Sequence, residues 1–195
     1  MLHIKEDDRE IAENENPVAV AVHEVVHSDG RKSILYVGNQ TAACDAETLL
    51  ALNVTSTLNV SLNIAIPPLQ LSDGIHVRRG NVCLIDGTGN PASYLAAAVL
   101  TLHGLLTQDS PGKPYYPAHR YGNVLVNCRG GRSRSVTVLA LYMHLTANEQ
   151  WPTLQSAIDH IRTLRGNAAH YPLQPMIDMA ERLVEHGALA RLLEI

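Results

Sequence analysis

A cysteine, five residues, an arginine and a serine follow one another in the run Cys128-Arg-Gly-Gly-Arg-Ser-Arg-Ser135. In a loop leading into a helix, successive backbone N–H groups of such a run converge on one centre. The helix N-terminus adds partial positive charge, so a phosphate dianion can sit there without a metal. Gly130 and Gly131 let the backbone approach it closely. The same field favours a thiolate at Cys128, and the thiolate is the form that attacks. Arg134 supplies a planar fork matched to two equatorial oxygens of a transferring phosphoryl group. Nucleophile, anion nest and arginine clamp together describe cysteine-based phosphoryl transfer. A buried structural cysteine beside a glycine turn would leave the loop arginines and the helix-start Ser135 unexplained.

A second string, His23-Glu-Val-Val-His27, spells the zinc-protease pattern His-Glu-x-x-His. That chemistry needs a helix, on which the two histidines stand one turn apart and share a metal. The surrounding Val18-Ala-Val-Ala-Val and Val25-Val26 alternate as a strand does. On a strand the histidines are about 13 Å apart at roughly 3.3 Å per residue, too far for one ion. Exposed strand histidines are the expected outcome.

The elements around the loop fit the first chemistry. Val124 and Val126 have the β-branched, period-two look of a strand ending at Cys128, and Val136 to Met143 continues as a helix too apolar to be anything but buried. Upstream, residues 18–27 form an expected strand paired with Ser33 to Val37 across the Ser28-Asp-Gly30 turn. A short helix is expected from Ala43 to Leu52 and a buried strand from Val54 to Val60. Extended segments are expected at Ile75–Val77 and Val82–Ile85, then a helix from Ala92 to Leu106 and a proline-rich insertion from Gln108 to Tyr121. Helices from Trp151 to about Arg165 and from Pro172 to Glu185 close the chain. His144, His160 and His170 show no pattern that selects a role, which leaves surface or helix-cap placement. The alternation is that of an α/β domain.

The loop run resembles the signature of the protein tyrosine phosphatase superfamily, and its closing Ser133-Arg134-Ser135 is similar to the dual-specificity branch. The resemblance extends to Leu35-Tyr-Val-Gly-Asn39, to Leu49–Val60 and to Ala157–Arg165, so it spans most of the chain. It implies one domain with a central, mostly parallel sheet flanked by helices. It also implies a phosphomonoesterase that hydrolyses phosphotyrosine, with some phosphoserine and phosphothreonine, through a phosphocysteine intermediate. Cys128, Arg134, Asp86 and Ser135 are the implied catalytic residues. Cys128 attacks, Arg134 clamps, Asp86 protonates the leaving oxygen and Ser135 assists the departing thiolate. Arg129, Gly130, Gly131, Arg132, Ser133 and Asn127 are the implied substrate-binding residues. Asp109, inside the insertion, competes with Asp86 for the acid role; Asp86 ranks first because a flexible insertion seldom fixes an acid within hydrogen-bonding reach. Asn127 departs from the family, which has His there. Arg129 and Arg132 keep a second substrate class open, phosphoinositides or inositol polyphosphates. A weakly active phosphate-binding module is a further alternative, and arsenate reduction or sulfur transfer a minor one. No metal or organic cofactor is implied.

Composition sets the frame. At 195 residues and 46% hydrophobic content the chain suits one core. A net charge of −4 with interspersed signs argues against general nucleic-acid affinity. Cys44, Cys83 and Cys128 show neither close pairing nor metal-ligand spacing, which implies a reducing compartment. With no span-length apolar run and no signal pattern, a cytoplasmic protein is expected, and the Asn-x-Ser/Thr matches at Asn39, Asn53 and Asn59 are read as chance. Residues 1–16 read as a loosely ordered acidic tail, and residues 17–195 as the phosphatase domain. The oligomeric state is not legible.

Overall fold

Strand β5, Asn123–Asn127, is the centre of the molecule because its side chains are apolar on both faces. Val124 and Val126 point to one side and Leu125 to the other, and all three are buried. The computed structural model describes residues 6–62, 64–108 and 113–193. Around β5, the strands β1 (Ala19–Val26), β2 (Lys32–Gly38), β3 (Val54–Asn59) and β4 (Arg78–Asn81) complete one sheet in the order β1-β2-β5-β3-β4. β1 runs antiparallel to β2, as the turn residues imply, and the other neighbours are parallel. The expected mostly parallel α/β architecture is thus the observed one.

One face carries α4 (Ala92–Thr107), α5 (Arg134–Thr146), α6 (Leu154–Arg165) and α7 (Gln174–His186), whose Leu102, Leu139, Ile158 and Met176 join Val124 and Val126 in the larger core. The other face carries α2 (Gln40–Cys44) and α3 (Ala46–Ala51), where Ala43 and Leu49 pack with Tyr36 and Leu125. α8 (Ala188–Leu192) follows α7. α5 is buried from Arg134 to His144, which explains why its sequence lacks a polar stripe. Burying a side chain such as Leu139 contributes about 1.5–3 kcal/mol, so this helix anchors the loop before it firmly.

The details depart from the sequence reading in four places. The helix expected over 43–52 is two, because Asp45 leaves helical geometry and caps the second turn, accepting from Thr48 N at 2.8 Å. The fourth strand is Arg78–Asn81, between the two segments expected to be extended and not in either of them. Its pairing with β3 and the close approach of Leu58, Thr101 and Leu105 to Gly80 decide this. His144 is buried, its Nδ1 2.8 Å from the Trp151 carbonyl. Finally, part of the acidic tail folds. Asp8–Glu15 is helix α1, closed by a capping box in which Glu10 N donates to Asp7 Oδ1 at 2.8 Å and Asp7 N to Glu10 Oε2 at 3.2 Å. α1 buries no side chain, and polar contacts hold it: Asn39 Nδ2 donates to the Glu13 and Asn16 carbonyls, and Thr41 Oγ1 to that of Asn14.

His23 lies within β1 and His27 directly after it, so the pair has strand spacing, not the helical spacing a shared zinc requires. Asn39 and Asn59 are buried and hydrogen-bonded inside the protein. Among the described residues, no helix is long and apolar enough to cross a membrane.

Candidate active site

The loop from Cys128 to Ser133 joins the carboxyl end of β5 to the start of α5, at the edge where ligands bind in parallel sheets. The turn is tight because Gly131 takes φ +70°, where a Cβ would lie 2.7 Å from the Gly38 carbonyl oxygen. That close approach folds the loop back over its own cysteine. Gly131 N donates to Cys128 Sγ at 3.3 Å, and Ser135 Oγ lies 3.3 Å from the same sulfur. The left-handed conformation alone costs a side chain about 1–2 kcal/mol. Gly131→Ala is therefore expected to lower the melting temperature by about 3–8 °C and to loosen the loop, measurable by thermal denaturation with and without phosphate.

Cys128, 2% exposed, lines a small cleft of about 80 Å³ together with Asp86, Arg129, Arg132, Arg134 and Tyr171. Burial pushes its thiol up. The Arg134 charge and hydrogen bonds from Ser135 outweigh that burial and the opposing charge of Asp86, leaving the thiol below its ordinary range. The Arg134 Nη1 donates to the Leu84 carbonyl at 3.3 Å, which fixes the guanidinium, while its buried Nε has no hydrogen-bond partner among the described residues and lies 3.6 Å from Asp86 Oδ2. Asp86 sits in the loop between β4 and α4, exposed on the cleft wall. Asp109 lies outside the described residues.

This strand, loop and helix arrangement recurs in solved structures. The Yvh1 phosphatase domain from Chaetomium thermophilum superposes with TM-score 0.64 at 21% identity, over 80% of this chain and 93% of that one. Human DUSP28 gives 0.57 at 21% identity, over 84% and 93%. A mouse protein crystallised with zinc tungstate gives 0.60 at 19% identity, over 99% and 98%. The chain has the fold of the dual-specificity phosphatases. By sequence, no protein-family model and no curated protein matches it.

Within this phosphatase fold the residues read from the sequence fall into two groups. Cys128, Arg129, Gly130, Arg132, Ser133, Arg134 and Asp86 meet at one cleft, with Gly131 and Ser135 contacting the Cys128 sulfur. Ser133 also steadies the loop, its Oγ accepting from Leu173 N at 3.1 Å. Asn127, expected to bind substrate, is fully buried in β5 and away from the cleft lining. Its Nδ2 donates to Asn59 Oδ1 at 3.4 Å and its own Oδ1 has no partner among the described residues. It supports the strand end from within the core. Asn cannot carry a charge, so Asn127→His is expected to move the Cys128 thiol to a still lower pKa. Alkylation rate against pH checks this; an unchanged or higher midpoint would confine residue 127 to packing.

Sequence reasoning missed Tyr171 and Glu6. Tyr171 forms part of the cleft wall, and burial, with Glu10 beside it, pushes its hydroxyl up to about 12, so it stays neutral. Glu6 reaches the loop from the other end of the chain, with Oε2 2.8 Å from Arg129 Nη1 and Oε1 3.2 Å from Arg132 Nη1. Arg132, nearly buried, also lies 3.7 Å from Glu10 and 3.4 Å from Glu13. Glu13 in turn holds Arg165 at 2.8 Å; burial raises its pKa, but the Arg165 hydrogen bond and charge leave it below the usual carboxylate range. An acidic composition reads as solvated from sequence alone; only the fold shows that three of its carboxylates face loop-side arginines.

Proposed function

We propose that this protein is a cysteine-dependent phosphomonoesterase of the dual-specificity type, acting on phosphotyrosine and, less strongly, on phosphoserine and phosphothreonine in proteins. The observation that carries the reading is the convergence of a lowered-pKa thiol, a buried guanidinium with a free donor and a carboxyl group on one cleft sized for a phosphate. The Cys128 thiolate attacks phosphorus in line, forming an S–P bond as the P–O bond to the leaving group breaks. Arg134 and the loop N–H groups take the equatorial oxygens as charge develops on them. Asp86 donates its proton to the leaving oxygen. In the second half, the Asp86 carboxylate accepts a proton from water as that water displaces the thiolate, and Ser135 Oγ–H stabilises the sulfur as it leaves.

Beside Asp86 the cleft adjoins a larger, mainly apolar groove of about 460 Å³, with Ile85, Thr88, Pro172 and Leu173 in its walls. That is the side on which the leaving group lies, and it suits a polypeptide flanking the phosphorylated residue better than a small polar alcohol. Hydrolysis of an aryl phosphate with and without a chelator tests the reading. Turnover that is unaffected by chelator and inhibited by vanadate is expected; turnover abolished by chelator would overturn it.

A further inference from the structure

Arg129 and Arg132 are the loop cations a second phosphate on the substrate would meet first, and in the fold both are engaged by carboxylates from the N-terminal segment. The engagement differs between them. Arg132, 5% exposed, needs neutralising to be buried at all, and has Glu6 at 3.2 Å, Glu13 at 3.4 Å and Glu10 at 3.7 Å for that, together with the Glu10 carbonyl at 2.7 Å. Arg129 has a largely exposed side chain, 58%, and is bound by Glu6. Glu6 therefore bridges the two arginines, neutralising the buried Arg132 through Oε1 while Oε2 occupies the exposed Arg129. It stands on the cleft wall beside Cys128, where it both occupies the exposed arginine and presents negative charge. Its orientation is fixed from a third side, since Asn14 Nδ2 donates to Oε1 at 3.1 Å.

We propose that Glu6 is a specificity-determining residue, selecting a lone phosphoryl group on an otherwise uncharged substrate, as in a phosphorylated peptide side chain, against polyphosphorylated substrates. The proposal rests on the phosphatase reading and names the substrate class of that same site. A second phosphate at the cleft has to displace Glu6 from Arg129 or lie against its charge, and a lone phosphoryl group does neither. The arginines that by sequence keep an inositol polyphosphate open as substrate are therefore already committed within the fold.

The test compares binding by calorimetry in proteins that carry Cys128→Ser, so that no ligand turns over. The ligands are inositol hexakisphosphate and a phosphotyrosyl peptide with no other charged side chain. Adding Glu6→Gln is expected to strengthen hexakisphosphate binding on the order of tenfold or more, and peptide binding by less than about threefold. The gain should shrink with added salt. Adding Arg129→Gln as well should remove most of it, which a mere loosening of the N-terminal segment would not do. An equal gain for both ligands, or none for the hexakisphosphate, overturns the proposal. Failure of the phosphatase reading shows separately, as absent turnover of an aryl phosphate by the native protein, while the binding ratio still decides the role of Glu6.

Discussion

Cys128→Ser is expected to lower turnover of an aryl phosphate to below about one ten-thousandth of the native rate. Serine has nearly the same shape, but its hydroxyl stays protonated at neutral pH where the loop favours a thiolate, so the substitution removes the proposed nucleophile and little else. The Gly131 N–H, Arg134 and the α5 terminus remain, and inorganic phosphate should still bind. Steady-state rates paired with phosphate calorimetry separate these effects. A variant retaining a tenth of the native rate would point to a different nucleophile. Arg134→Ala should instead lose both turnover and phosphate affinity, by about 10² to 10³ in rate for one stabilising group in such a site.

Asp86→Asn should slow substrates with poor leaving groups by about 10² to 10⁴, and activated aryl esters far less, because only the former need a proton in the transition state. The side chain has the place to act this way, on the wall of the Cys128 cleft and 3.6 Å from Arg134 Nε. A plot of rate against leaving-group pKa for the native protein and the variant checks this: the variant should show the steeper dependence. If Asp109→Asn shows that steepening and Asp86→Asn does not, the acid comes from the insertion.

The sheet and its loop were legible because local signals and burial agree there. The period-two apolar residues of β5 and the unbroken apolar run of α5 are both consequences of lying at the centre of the core. Reading failed where long-range partners override local pattern. Arg78–Asn81, with two arginines and a glycine, has no local strand signal and becomes a strand because it pairs with β3, with Leu58, Thr101 and Leu105 packed close on Gly80. Asp8–Glu15 has no apolar face to announce a docked helix, and its partners Arg132 and Arg165 lie more than a hundred residues away in sequence. Asn127 is next to Cys128 in sequence, which groups it with the binding residues, yet strand alternation turns it into the core toward Asn59. The order of residues in the loop shows the chemistry available; only the packing shows which side chains face the cleft.

In the proposed mechanism the phosphoryl group passes through the Cys128 sulfur. Rapid quenching of an aryl phosphate reaction in acid, followed by peptide mass spectrometry, tests it directly. The Asp86→Asn variant is the protein to use, because slowed hydrolysis lets the intermediate accumulate. A phosphoryl group is expected on the peptide containing Cys128, forming within the first turnover and decaying as substrate is exhausted. Turnover with that peptide unmodified at every time point, or with the phosphoryl group on another residue, would contradict it.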